Sequence, residues 1–265
     1  MGRRPVAVTE ARPTVEVVRR SGRPRGRRGA GPGTGRLVAT ELLKIATGRW
    51  QLVGLGVALA IHVPLLLLWG AQAEPLVAWN GLRSRSGFLL AYAMMFFGVI
   101  LVTGEYRYRT VTHAWLLTPR RSRVLAAQVL TVLAVGATLS TATFAAWWAR
   151  GAARHGTAAM RADRPAELLS ACVIVVVMVC AAGVAGVGVG TLTRGSTAAA
   201  GAIALSGLAE AVLDVARFHG PVTAPLGVLL WPTSETRVSS LLAAISWAVV
   251  LTAAASASLH RDLPS

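Results

Sequence analysis

The feature that most constrains this chain is a series of apolar runs, each close to the length needed to cross a bilayer. A membrane-spanning helix needs roughly 20 apolar residues. Because lipid offers no hydrogen-bond partners, the backbone of such runs is best satisfied within a helix. We therefore predict an all-α membrane protein with six transmembrane helices, at about residues 51–70, 87–104, 124–148, 168–192, 196–213 and 239–259.

Positive charge is concentrated at the N-terminus. The chain has a net charge of +16, and residues 1–36 carry ten arginines against two glutamates, among many Gly and Pro residues. This composition cannot bury a core, so it predicts a disordered cytoplasmic tail that can touch anionic lipid. The tail lacks the interleaved aromatic residues of a nucleic-acid-binding module, and we expect no nucleic-acid partner. Residues 37–265 then form the six-span domain.

Charge also suggests an orientation for the spans. The Arg-rich start favours a cytoplasmic N-terminus, and six spans return the C-terminus to the same side. The margin is small, because the loop at 149–167 carries four arginines on the predicted outer side. An Ala-rich chain whose sole lysine is Lys44 is typical of a high-GC bacterial genome, so we expect a bacterial plasma membrane.

A polar, aromatic and basic segment separates the second and third runs. Residues 105–123 contain five arginines against the single acid Glu105. Tyr108, Val111 and Trp115 share one face at helical spacing, and Pro119 supplies a stop. This pattern predicts a short amphipathic helix on the cytoplasmic side that contacts a soluble partner. A second amphipathic stretch, residues 37–50, is predicted to be an interfacial helix leading into the first span.

Small residues line the end of the fourth run, which reads GVAGVGVG. Gly186 and Gly190 form a GxxxG pair, and Gly183 extends the same face. Such a face allows close contact between helices in lipid. It indicates helix packing without choosing between packing inside one subunit and dimerisation.

Three ionisable residues are candidates for a pathway or gate, because such groups in membrane segments are costly and often functional. His62 lies in the first run beside Pro64, and Glu210 and Asp214 lie one turn apart at the end of the fifth. The alternative is structural: a neutral, hydrogen-bonded His62, and two acids at the outer interface near Arg217. The apolar stretch 221–232 is too short to span and is predicted to be re-entrant.

The chain lacks the sequence motifs of several enzyme classes. It contains no phosphate-binding G-x-x-x-x-G-K-[ST] loop, no G-x-S-x-G or H-E-x-x-H motif, and no paired His/Cys cluster typical of a metal site. We therefore expect no enzyme activity, no cofactor and no metal. Energy for uphill transport would come from a partner or an ion gradient.

The segment from Gly104 to Leu130 resembles a signature of ATP-binding-cassette permeases of the type-2 exporter class. In that family a G-E-[YF]-R stretch follows the second span and a [LT]-x-P-x-R stretch precedes the third. Residues 37–50, with Glu41 and Lys44 in an E-x-x-K arrangement, resemble the family's elbow helix. The matching residues are Gly104, Glu105, Tyr106, Arg107, Thr110, Leu117, Pro119, Arg120 and Arg123.

The resemblance implies a mechanism. Two permease subunits, identical or paralogous, would form a twelve-span unit above two separate ATPase subunits. ATP-driven closure of the ATPases would push the cytoplasmic coupling helix, with Glu105, Arg107, Tyr108, Val111 and Trp115 at the contact. The mostly apolar spans favour a hydrophobic or amphipathic exported substrate. Two other functions stay open: a secondary transporter, which would show inverted repeats and mid-membrane ionisable groups, and a non-transporting immunity or sensor subunit.

Overall fold

The computed structural model describes residues 34–48, 52, 56, 63, 87–107, 121–156, 165–213, 219–230 and 234–261. Over these residues the protein contains seven α-helices and no strand. The helices are α1 (Thr34–Thr47), α2 (Phe88–Arg107), α3 (Arg121–His155), α4 (Pro165–Thr193), α5 (Ser196–Leu213), α6 (Thr223–Leu230) and α7 (Ser234–Arg261).

Four of these helices are long and apolar enough to cross a membrane: α2, α3, α4 and the Val238–His260 part of α7. This chain is therefore a multi-pass, all-helical membrane protein, as the apolar runs predict. The fifth predicted span corresponds to α5, whose 18 residues reach about 27 Å, slightly less than the roughly 30 Å hydrocarbon core. The first predicted span, 51–70, lies outside the described residues except at positions 52, 56 and 63.

Helix boundaries differ from the predicted span edges. The third helix continues to His155, so the first part of the loop predicted at 149–167 is helical. Gly156 ends it with a left-handed φ of 81°, and its N–H donates to Ala152 O at 2.9 Å. The extra turns consist mainly of Ala and Arg, which are strong helix formers. Loss of apolar character set the predicted end of the span, whereas the helix itself ends at its glycine cap.

The first helix, α1, crosses the predicted boundary between the tail and the six-span domain. The first helix starts at Thr34, inside the stretch 1–36 assigned to the tail, and ends at Thr47, before the predicted end at residue 50. One face of this helix is buried against the bundle, where it packs on α3. Leu42 and Leu43, by contrast, are exposed.

The fourth helix lies at the centre of the bundle and packs against α2, α3 and α7. Its small residues permit close approach of the backbones. A Cβ on Gly186 would overlap the carbonyl oxygen of Met95, and a Cβ on Gly183 would overlap the Val132 side chain. Gly190 lies against Val99 of α2. The small-residue face of 183–190 is thus used within the subunit.

Several helix ends meet on one side of the bundle. The Arg121 side chain, at the start of α3, donates a 3.1 Å hydrogen bond to the carbonyl of Leu259 near the end of α7. A small cavity between them is also lined by Glu105 at the end of α2 and Thr191 at the end of α4. The ends of α2, α4 and α7 and the start of α3 therefore share one side.

Candidate functional site: an ion cluster at the end of the second helix

The candidate site is built on the buried face of α1. Glu41 and Ile45 are buried, with exposed fractions of 4% and 7%. Lys44 lies on the same side, since residues three apart are neighbours on a helix. The helix thus presents one acid and one base to the bundle.

The partner of this pair comes from a distant part of the chain. Lys44 Nζ lies 2.6 Å from Glu41 Oε1 and 2.6 Å from Glu105 Oε1. The side chains of Glu41, Lys44 and Glu105 are 5%, 40% and 12% exposed, respectively. We call these three residues the ion cluster. It joins α1 to the last turn of α2 across 61 positions of sequence.

The electrostatics of the ion cluster are asymmetric, because two carboxylates share one ammonium group. Burial raises the pKa of Glu41 above 4.5, and this outweighs the lowering effect of Lys44. Glu41 Oε2 is buried and has no hydrogen-bond partner in the described part of the chain. Burial would lower the pKa of Lys44, but the charges and hydrogen bonds of Glu105 and Glu41 outweigh it, so this pKa is raised above 10.5. Lys44 therefore stays charged, whereas Glu41 is neutralised more easily than a glutamate in water.

A cavity of about 20 Å³ lies on the other side of Glu105. This is enough space for one water molecule. Polar side chains from three helices reach it, so a water there would find hydrogen-bond partners. The lining consists of Val102, Glu105, Tyr106, Arg121, Val124, Leu125, Gln128, Thr191 and Leu259.

Two of the predicted coupling residues are placed by the structure within a long helix. Glu105 and Arg107 were placed in the cytoplasmic segment after the second span, but they belong to the last turn of α2. The helix continues through Gly104 because Glu105 and Arg107 are good helix formers and the stretch contains no proline. Tyr108, Val111 and Trp115 lie outside the described residues. Sequence reasoning missed the bond between Lys44 and Glu105; the available signal was that Lys44 is the only lysine of the chain.

The carboxylate of Glu210 accepts hydrogen bonds from groups within the protein. Its Oε1 accepts hydrogen bonds from Ser206 Oγ at 2.7 Å and from the Val222 N–H at 3.3 Å. Its Oε2 accepts from the N–H and the hydroxyl of Thr223 at 2.8 and 2.5 Å. A carboxylate at this position stabilises the N-terminus of α6, whose first amides lack partners within the helix. Asp214 and His62 lie outside the described residues.

The segment predicted to be re-entrant contains α6, a helix of eight residues. Its length of about 12 Å is far short of a bilayer. The helix packs against α7 and α4, and Ala224 and Leu229 are fully buried. The preceding turn is fixed by a 2.8 Å hydrogen bond from Trp247 Nε1 to His219 O. A Cβ on Gly220 would overlap the Glu210 carboxylate, so a larger residue there would displace this side chain from the turn.

No group of three or more His, Cys, Asp and Glu side chains that could hold a metal ion occurs among the described residues. Comparisons with known proteins identify no relative: no family model, no curated protein and no solved structure matches the chain.

Proposed function

We propose that this chain is the membrane-spanning permease subunit of an ATP-binding-cassette exporter. A separate ATPase would supply the energy, and a second permease copy or paralogue would complete the unit. The protein would lie in a bacterial plasma membrane with both termini in the cytoplasm and export a hydrophobic or amphipathic substrate. The observation that carries the proposal is the ion cluster, which ties α1 to the end of α2 within the G-E-Y-R stretch that resembles this family.

Anchoring at both ends of the coupling segment supports this proposal. Residues 108–120 connect the last turn of α2 to the start of α3 along the chain. At one end, Glu105 is bonded to Lys44 of α1. At the other end, Arg121 is bonded to the C-terminal turn of α7. A force applied to 108–120 would therefore act on four helices at once, as a subunit driven by an external ATPase requires.

Charge and aromatic content give the same segment the character of a docking surface. Arg109 and Arg120 lie within it, Arg107 directly precedes it, and Arg121 and Arg123 follow it. Trp115, in its middle, is of the residue type that most often anchors protein interfaces. In this proposal ATP hydrolysis would fall to a partner chain, because the sequence lacks a nucleotide-binding motif.

The test first asks whether an ATP-binding-cassette ATPase is encoded next to this chain, since its absence would weaken the proposal, and then co-expresses and co-purifies that ATPase with the chain. Loss of a buried interface anchor costs about 2 kcal/mol or more, roughly 30-fold in affinity. Trp115→Ala should therefore weaken ATPase binding by about that factor and reduce ATP-driven transport. The matched control is Trp148→Ala, since Trp148 of α3 is 42% exposed and lies at the opposite end of that helix.

Protein level and membrane insertion are measured in every variant, so that loss of folding is separated from loss of docking. Glu105→Ala should leave insertion intact but reduce coupling, because it releases α1 from α2. Unchanged ATPase binding and transport in both Trp115→Ala and Glu105→Ala would overturn the proposal. Transport that follows an ion gradient and needs no ATPase would support a secondary transporter instead.

A further inference from the structure

An apolar groove of about 860 Å³ runs along the side of the bundle between α3, α4 and α7. Its α3 wall extends from Ser122 to Leu133, and its α7 wall extends from Ile245 to Ser256. The α4 wall is formed by residues between 176 and 184. The groove is open on one side, where α7 is poorly covered: only 22% of its apolar stretch is buried, against 56% for α4.

The polar side chains in the groove wall either contact backbone carbonyls of the protein or lie at one end of the groove. The Thr252 hydroxyl donates to Ala248 O at 2.7 Å, and Cys180 Sγ lies 3.6 Å from Leu133 O. Ser122 and Ser256 both lie at the end where α3 starts and α7 approaches its C-terminus. The long middle of the groove is therefore apolar, and one end is polar.

The length of the groove fits one leaflet of a bilayer. Ser122 to Leu133 and Ile245 to Ser256 each cover eleven helical steps, or about 17 Å. Half of the hydrocarbon core is about 15 Å. At the polar end, Arg121 and Arg123 flank Ser122 in sequence, and both are partly exposed. A ligand with a straight apolar tail and an anionic head has matching length, polarity and charge.

We infer that this groove binds an acyl chain of an anionic phospholipid, with the phosphate at the Ser122 end beside Arg121 and Arg123. The inference does not depend on the proposed export function, because it uses only the described helices. A second copy of this chain fits less well. An apolar helix of a second copy would bring no anionic headgroup to the arginines.

The test is photo-crosslinking of the purified full chain in lipid nanodiscs. Two probes carry a photoreactive group in the acyl chain: phosphatidylglycerol, which is anionic, and phosphatidylcholine, which has no net charge. Labelled peptides are identified by mass spectrometry. An arginine near an anionic headgroup contributes about 1 kcal/mol, or roughly fivefold. Phosphatidylglycerol should therefore label the groove peptides at least about fivefold more than phosphatidylcholine.

Two variants locate the site. Ala253→Phe fills the groove, whereas Ala254→Phe adds the same side chain at an exposed neighbour that does not line it. Labelling of the α3 wall should fall at least about fivefold in the first, as expected for loss of apolar contact area, and stay unchanged in the second.

A third variant tests headgroup selection: Arg123→Gln should reduce the preference for phosphatidylglycerol, also by about fivefold.

Three results would overturn the inference. Equal labelling in Ala253→Phe and Ala254→Phe would mean that bulk lipid was sampled. Equal labelling by both probes in the unmodified chain would mean that the arginines do not select the headgroup. A protein–protein crosslink that maps to the groove would mean that a second copy or another segment of this chain occupies it. Ala126→Phe on α3, with the exposed Ala146→Phe as its control, repeats the test if the first variant is not produced.

Discussion

Replacing Lys44 by Gln should release α1 from the end of α2. The variant removes the ammonium group that bonds both Glu41 and Glu105 at 2.6 Å. It leaves two carboxylates that are 5% and 12% exposed and no longer have a cation between them. A buried group that loses its partner retains its desolvation cost, so the effect exceeds that of a surface ion pair.

The size of the effect follows from the exposure of the three side chains. Breaking a fully buried ion pair by removing one partner costs about 3–5 kcal/mol, whereas a surface pair contributes about 0–1 kcal/mol. The carboxylates are close to the first case, but Lys44 is 40% exposed, and water can replace part of its contacts. We therefore expect α1 to lose about 2 kcal/mol of local stability, a factor of roughly 30 in the opening equilibrium.

Amide hydrogen exchange in nanodiscs measures this opening locally. Backbone amides of residues 38–47 should exchange roughly 30-fold faster in Lys44→Gln, while those of α4 stay unchanged. Ala46→Gln, at an exposed position of the same helix, is the matched control and should change exchange by less than about twofold, the usual size of surface substitutions.

A double variant tests the electrostatic reasoning itself. Adding Glu41→Gln to Lys44→Gln removes one of the two carboxylates that have lost the Lys44 ammonium group, so about half of the lost free energy should return, roughly fivefold in exchange. If Lys44→Gln behaves like Ala46→Gln, or if the second substitution adds to the damage, the ion cluster does not hold α1 in place.

Three further predictions concern packing, a capped turn and pH. Gly186→Ala should lower the thermal midpoint of unfolding by several degrees and cost about 1–3 kcal/mol, because the new Cβ would overlap Met95 O. Gly201→Ala is the control and should be neutral or stabilising, since the space around Gly201 is open. Equal midpoints in the two variants would refute the close contact of α2 and α4. Glu210→Gln places an amide NH₂ group where a carboxylate oxygen accepts hydrogen bonds from backbone N–H groups. The loss of about 1.4 kcal/mol should raise the rate of amide hydrogen exchange across residues 219–230 roughly 10-fold. An unchanged rate would mean that Glu210 does not stabilise this turn and would favour its role as a gate residue. The pKa of Glu41 is raised above 4.5 in the folded protein, so protonation of Glu41 stabilises the state in which α1 is packed on the bundle. The stability of α1 should therefore increase as pH falls from 7 toward 4.5. Amide exchange of α1, corrected for its intrinsic pH dependence, should slow over this range and should not depend on pH in Glu41→Gln.

The sequence by itself determined the class of this protein and the rough extent of its main helices. Runs of apolar residues without charge can satisfy their backbone in lipid only as helices, and α2, α3, α4 and α7 follow these runs. Residues 196–213, predicted as the fifth span, form α5, which starts after Gly195. The apolar runs and the start of α5 depend on residues that are close along the chain, so they can be recognised from the sequence.

The tertiary structure decided which of these helices is central and which polar groups meet. The fourth helix is apolar on every side, so periodicity could not show that α2, α3 and α7 all pack on it. Glu210 was read as an interfacial acid or a gate, and its role as a cap became visible only with Thr223 placed beside it. Lys44 and Glu105 are 61 residues apart, and no local pattern encodes their contact. Their pairing depends on how α1 and α2 are placed in the bundle, because a salt bridge needs the ammonium and carboxylate groups within about 4 Å of each other.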